Sequence, residues 1–341
     1  MSGWIGKEVG ANIAPTDDLR GPGTRRTTAG LAVVVLVVVA AAVLRPALQD
    51  LLDRPAIAHW ATVFVAIAVQ AMPFLVLGVT VSAVVAALVP AGFFPRMLPD
   101  RPALAVPVAA AAGAVLPGCE CGSVPIAGRL VAQGAPPAAA LAFLLSAPAI
   151  NPVVLVATAV AFPGRPEMVV ARFAASLLAA NLVGLIWARR GRDELLDRAR
   201  RRRSAVDGPP LAVLVATAQH DFLHAGGFLI VGAATAATLQ TVVPRSVLDG
   251  VAGAGPLSVL AMAGLAVAMA ICSEADAFVA ASLTQFSLSA RLAFLVVGPM
   301  VDVKLVALQA GTFGRRFATR FAPLTLVAAV ASSALVGWWL L

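Results

Sequence analysis

The sequence predicts an all-α polytopic membrane protein: two inverted-topology repeats with broken or re-entrant helices, plus one extra N-terminal transmembrane helix. Three observations carry that fold class. The chain is 60% hydrophobic and only 12% charged, about half the charged share of a soluble domain, and apolar stretches of about 18 or more residues recur along it. Two of those stretches are interrupted by cysteine, carboxylate, proline and glycine. The landmarks of the first half then return, in order, in the second.

Taken in order, residues 1–28 are polar and bear Lys7, Arg20, Arg25 and Arg26, which suits a disordered cytoplasmic tail. Residues 29–44 are apolar and β-branched. They could pass for a signal-peptide core, but the spans that follow favour a first transmembrane helix, with 45–58 as an external loop. Residues 56–188 form the first repeat. It holds a long span over 60–89 with Pro73 inside, a loop with Arg96 and Arg101, and an apolar run over 102–116. Next come the interrupted stretch, a span over 138–162 broken near Pro148–Pro152, and a last span over 169–187.

Residues 189–210 are an arginine-dense cytoplasmic linker, and 211–341 the second repeat. Pro73-Phe74-Leu75-Val76-Leu77-Gly78 matches Gly227-Phe228-Leu229-Ile230-Val231-Gly232. At the same offset Pro90 meets Pro244 and Glu120 meets Glu274. After a small shift Ala142–Pro148 matches Ala293–Pro299, and Asn151 falls on Asp302.

Charge sets the orientation. The net +8 lies in short loops, where the bias of cytoplasmic loops toward Lys and Arg accounts for it. The linker lacks the aromatic interleaving of a single-strand binder, so the expected partner is the lipid bilayer and no nucleic acid. With the N-terminus cytoplasmic and three crossings plus one re-entrant excursion per half, the repeats are inverted, a secondary-transporter design. The expected location is a membrane that the chain crosses several times. No phosphate-binding loop or Ser-His-Asp arrangement is seen, so neither an enzyme nor a cofactor is expected.

The chemistry lies at the interruptions. Leu116-Pro117-Gly118-Cys119-Glu120-Cys121-Gly122-Ser123-Val124-Pro125 places two thiols, a carboxylate and helix-breaking residues at membrane depth. Broken backbone survives there only buried in protein or lining a wet cavity, and an intramembrane carboxylate marks function by default. Thiolates bind soft ions and metalloids; the alternative is two small cysteines in a glycine-rich packing motif. Cys272-Ser273-Glu274-Ala275-Asp276 is the second constellation. If the repeats meet, Cys119, Cys121 and Cys272 could form a three-thiol site, ringed by Glu120, Glu274 and Asp276. The hypothetical metal ligands are Cys119, Cys121, Cys272 and Glu274.

Asp302 and Lys304, two apart on a helix, do not face each other, so each is expected to have a partner elsewhere, Lys304 neutralising an acid. Ser146 and Asn151 offer oxygen ligands or serve a broken backbone. His220 and His224 share a helix face, a spacing that can bind metal, with Asp221 more simply a helix-start or interface residue. Gln70, Gln240 and Arg129 receive no role.

The stretches 117–127, 143–152, 272–278 and 298–304 together resemble the ArsP/YraQ-type permease family, over about residues 60–320. That resemblance implies a bacterial inner-membrane permease. Characterised members export trivalent organoarsenicals through membrane cysteines, which here makes Cys119 and Cys121 the candidate substrate thiols. Relatives with Glu between the cysteines form a branch that accompanies a second small membrane protein. The expected function is efflux of a soft metal or metalloid species through a midplane thiol and carboxylate site. A divalent-cation, zinc-like permease working with a second subunit, an intramembrane thiol oxidoreductase and a non-transporting anchor subunit are the alternatives.

Overall fold

The computed structural model describes residues 54–89, 93–99, 101–115, 119–191, 193–201, 209–242 and 256–341. The expected cytoplasmic tail and first transmembrane helix lie outside the described residues. Residues His59–Leu341 form one compact unit. Among the described residues the secondary structure is helical.

Helix α1 runs over Pro55–Leu88 and α2 over Phe93–Met97. α3 (Pro102–Ala112) and α4 (Glu120–Ala132) follow. α5 (Pro137–Ile150) and α6 (Pro152–Ala161) are separated by Asn151 alone, and α7 is Pro166–Arg190. A 3-10 turn over Asp193–Leu196 leads into α8 (Asp197–Arg201). α9 is Pro210–Val242, α10 Pro256–Met269 and α11 Asp276–Ser282. α12 (Leu288–Val297), α13 (Val303–Thr312) and α14 (Arg315–Leu340) complete the chain.

Among the described residues five stretches are long and apolar enough to cross a bilayer: Pro55–Leu88, Pro137–Ala161, Pro166–Arg190, Pro210–Val242 and Arg315–Leu340. At 1.5 Å per residue the 34 residues of α1 reach roughly 51 Å, longer than the ~30 Å hydrocarbon layer. Many helices begin on proline, whose missing N–H is surplus in a first turn. This corrects the expected external loop over 45–58, since its last residues open α1 from Pro55. Where it is described, the first part of the expected basic linker is helical rather than a loop. α7 continues through Arg190, and Leu196 and Ala199 are buried beyond it.

Small residues set the packing. Along α7, Ala171, Ala175 and Ala179 are fully buried at four-residue spacing, and α7 packs on α5 and α14. Helices without a water-driven force between them associate through such close backbone approach. A close backbone-to-backbone case is α1 against α4, where a Cβ on Gly78 would stand 2.3 Å from the Cα of Gly122. At the far end of α7, the Trp187 ring meets Phe317 and Phe321 edge-on.

Among the described residues interruptions fall after α3 at 113–115, at Asn151, at 270–275 and at 298–302. The one at 270–275 opens on Ala270, a non-glycine residue at φ 46°, a left-handed conformation that costs an L-residue roughly 1–2 kcal/mol.

Candidate site at the helix breaks

Cys119 is the N-cap of α4, so Glu120 and Cys121 lie in the first helical turn. The break therefore precedes the Cys-Glu-Cys stretch rather than running through it. An acid in a first turn suits the positive end of the helix. All three residues are fully buried. Cys272 sits in the second break, 3% exposed, and the Cys119 side chain is within hydrogen-bonding reach of both Cys121 and Cys272. Cys119 thus neighbours both Cys121, in the first turn of α4, and Cys272, in the second break, and all three are free. Among the described residues no group of three His, Cys, Asp or Glu side chains is arranged to hold a metal ion.

Glu120 is paired with Lys304, whose Nζ donates to Oε1 at 2.5 Å. Lys304 is 1% exposed. Its Nζ also donates to the Ala270 carbonyl at 3.3 Å and lies 3.6 Å from Asp302 Oδ2. The last contact corrects the expectation that Asp302 and Lys304 do not face each other. Asp302 is not inside the helix but its N-cap, with extended backbone (φ −139°, ψ 169°), and helix-surface spacing does not govern it. Its Oδ1 accepts from Leu305 N at 2.5 Å.

Asn151 plays the same local part for α6, its Oδ1 accepting from Val154 N at 3.0 Å. Its Nδ2 donates back to Ala147 O, and Ser146 Oγ donates to Phe143 O. The Asn151 side chain thus satisfies backbone left open by the interruption, while Ser146 bonds back within α5.

Glu274 and Asp276 flank the end of the second break. Glu274 lies near Cys272 in the second break. Among the described residues neither Glu274 oxygen has a hydrogen-bond partner, nor has Asp276 Oδ2 or Glu120 Oε2. Buried acids with open lone pairs attract a cation, a proton or a donor that moves.

An apolar cavity of about 90 Å³ reaches Cys119 from the α1 side, lined among others by Phe74, Leu77, Gly78, Phe143 and Ala147.

Sequence reading missed two arginines. Arg172, fully buried in α7, donates to Thr158 Oγ1 at 2.8 Å and to the Ser273 carbonyl at 3.0 Å. An arginine in the middle of an apolar span was the available signal. Arg129 pairs with Asp221 of α9 at 3.5 Å, and Ser82 of α1 donates to the same carboxylate at 2.9 Å. This makes Asp221 an interface residue. His220 and His224 stack face to face, 5.9 Å between ring centres, and His224 Nε2 meets Gly311 O at 2.9 Å. Stacked rings do not converge on one ion.

The sequence profile of a family of predicted permeases, ArsP_1, matches residues 56–338. UPF0718 protein YcgR of Bacillus subtilis is 36% identical over 281 residues, covering 81% of this chain and 96% of its own. A Streptococcus mutans protein named "Putative two-component membrane permease complex subunit" is 30% identical over 267 residues, 76% of this chain and 88% of its own. No solved structure matches. With this coverage, and with five stretches able to span a bilayer, the chain is a multi-pass membrane protein that belongs to the predicted permease family.

Proposed function

We propose that the chain is a secondary permease for a soft metal or metalloid species such as trivalent arsenicals, working as an exporter through one site built from Cys119, Cys121 and Cys272. The observation that carries this reading is the meeting of thiols from two separate helix breaks. Trivalent arsenic exchanges hydroxides for thiols, releasing one water per bond, so capture needs neither oxidant nor reductant. Soft sulfur ligands favour such cargo over hard cations, and the apolar cavity beside Cys119 suits a cargo that is not a hydrated ion.

The reading includes two inverted repeats, 56–188 and 211–341, joined by the basic linker. Support comes from paired interruptions. One Cys-and-acid stretch opens α4 and the other lies at 272–276, and Asn151 and Asp302 each cap the helix after a further break through the N–H three residues on. Alternating access would rock these halves about the thiols. The N-terminus, Arg96, Arg101, the linker and Arg315, Arg316 and Arg320 would then lie in the cytoplasm.

A second reading, a divalent-cation permease working with another membrane subunit, draws on the unpartnered oxygens of Glu274 and Asp276 and on the Streptococcus relative named as a complex subunit. In that case a dication at Glu120 must displace Lys304.

Proteoliposomes loaded with arsenite, a phenyl-substituted trivalent arsenical or zinc test both. Thiol-dependent release of an arsenical supports the first reading. Release of zinc alone, lost on Glu274→Gln but not on Cys119→Ser, replaces it with the second.

A further inference from the structure

The unwound segment that carries Cys272 is held at both ends by buried cations from other helices. Lys304 of α13 takes the Ala270 carbonyl, and Arg172 of α7 takes the Ser273 carbonyl. Lys304 already belongs to the site. Arg172 does not touch a thiol, yet its guanidinium is wholly buried, which is expensive without a specific purpose.

Its geometry is that of a clamp. Nη1 reaches Thr158 of α6, whose own hydroxyl donates to Val154 O at 2.8 Å and so turns a lone pair toward the arginine. Nη2 reaches Ser273, one residue after Cys272 and one before Glu274. A planar fork can serve two acceptors on two elements in fixed geometry, where a lysine offers a point charge. Asp276 and Glu274 lie in its electrostatic neighbourhood, so the same charge also counters the acids after the break.

We propose that Arg172 is the positioning residue of this thiol: by fixing the Ser273 carbonyl to α6 and α7 it holds Cys272 against Cys119. The functional meaning rests on reading Cys272 as a cargo ligand, but the test below does not. It reads the clamp whether or not the thiols bind cargo.

The experiment is the rate of N-ethylmaleimide modification of the purified full chain in detergent. In a Cys119→Ser/Cys121→Ser background Cys272 is the sole thiol, since the chain has three. Loss of charge-assisted bonds at a break should free it, so Arg172→Gln raises the Cys272 rate about tenfold or more, and Arg172→Lys gives an intermediate rate. In a Cys272→Ser background, Arg172→Gln leaves the rates of Cys119 and Cys121 unchanged. An unaltered Cys272 rate overturns the proposal. So does equal acceleration of all three thiols, which would make Arg172 a general packing residue. If Arg172→Gln does not run as a single species, Thr158→Val decides. It removes one acceptor and should speed Cys272 labelling about threefold; no change overturns the clamp.

Discussion

Lys304 and Glu120, 184 positions apart in the chain, meet at 2.5 Å with at most 1% of either side chain exposed. The pair joins α13 to the first turn of α4 and places a positive charge beside the three cysteines. It also fixes the Ala270 carbonyl, at the strained residue where α10 ends. One side chain therefore connects both helix breaks.

Removing one member of such a pair leaves the other charge buried without compensation. Lys304→Met is expected to lower stability by about 3–5 kcal/mol, and the double variant Glu120→Gln/Lys304→Met to recover a large part of that loss. Denaturant titration of the four proteins in detergent gives the coupling. Additive losses would mean the two groups act independently.

The interrupted spans depend on caps. Asn151→Ala should cost about 1 kcal/mol, while Asn151→Ser, which keeps an acceptor for Val154 N, should lose only a few tenths. Cargo affinity should follow stability in both. A fall in affinity far beyond the stability loss, with Asn151→Ser no better than alanine, would instead make Asn151 a ligand.

Much of this was readable from the residues. The breaks were marked by proline, cysteine and acid inside apolar runs, because such residues survive in hydrocarbon only for a reason. The family was legible in the long motifs around Cys119 and Cys272. Boundaries were less so: Glu120 looked like part of a broken segment, yet it opens α4, with Cys119 at the N-cap position making no side-chain capping bond. Asp302 and Lys304 misled because spacing rules assume both residues are helical. Arg172 and Arg129 went unassigned because their acceptors, Ser273 and Asp221, stand 101 and 92 positions away. A single sequence carries no direct sign of a contact that distant.

The α1–α4 crossing gives a sharper steric test. Gly78→Val must push Gly122 away, because even a Cβ would stand 2.3 Å from its Cα. A loss of about 3 kcal/mol or more is expected from such overpacking. Gly227→Ala, where nothing lies within 4 Å of the added carbon, should be neutral or stabilise by up to about 1 kcal/mol through helix propensity. Thermal unfolding of the two variants side by side checks both; equal effects would contradict the close crossing.

The central claim is that thiols from two different breaks act as one site. Equilibrium binding of arsenite to the purified protein tests it most directly, with wild type compared to Cys119→Ser, Cys121→Ser and Cys272→Ser. The account predicts one arsenic per chain and a loss of at least about tenfold in affinity, roughly 1.4 kcal/mol, for each single variant, Cys272→Ser included. Wild-type affinity in Cys272→Ser, or no binding by folded wild type, would contradict it.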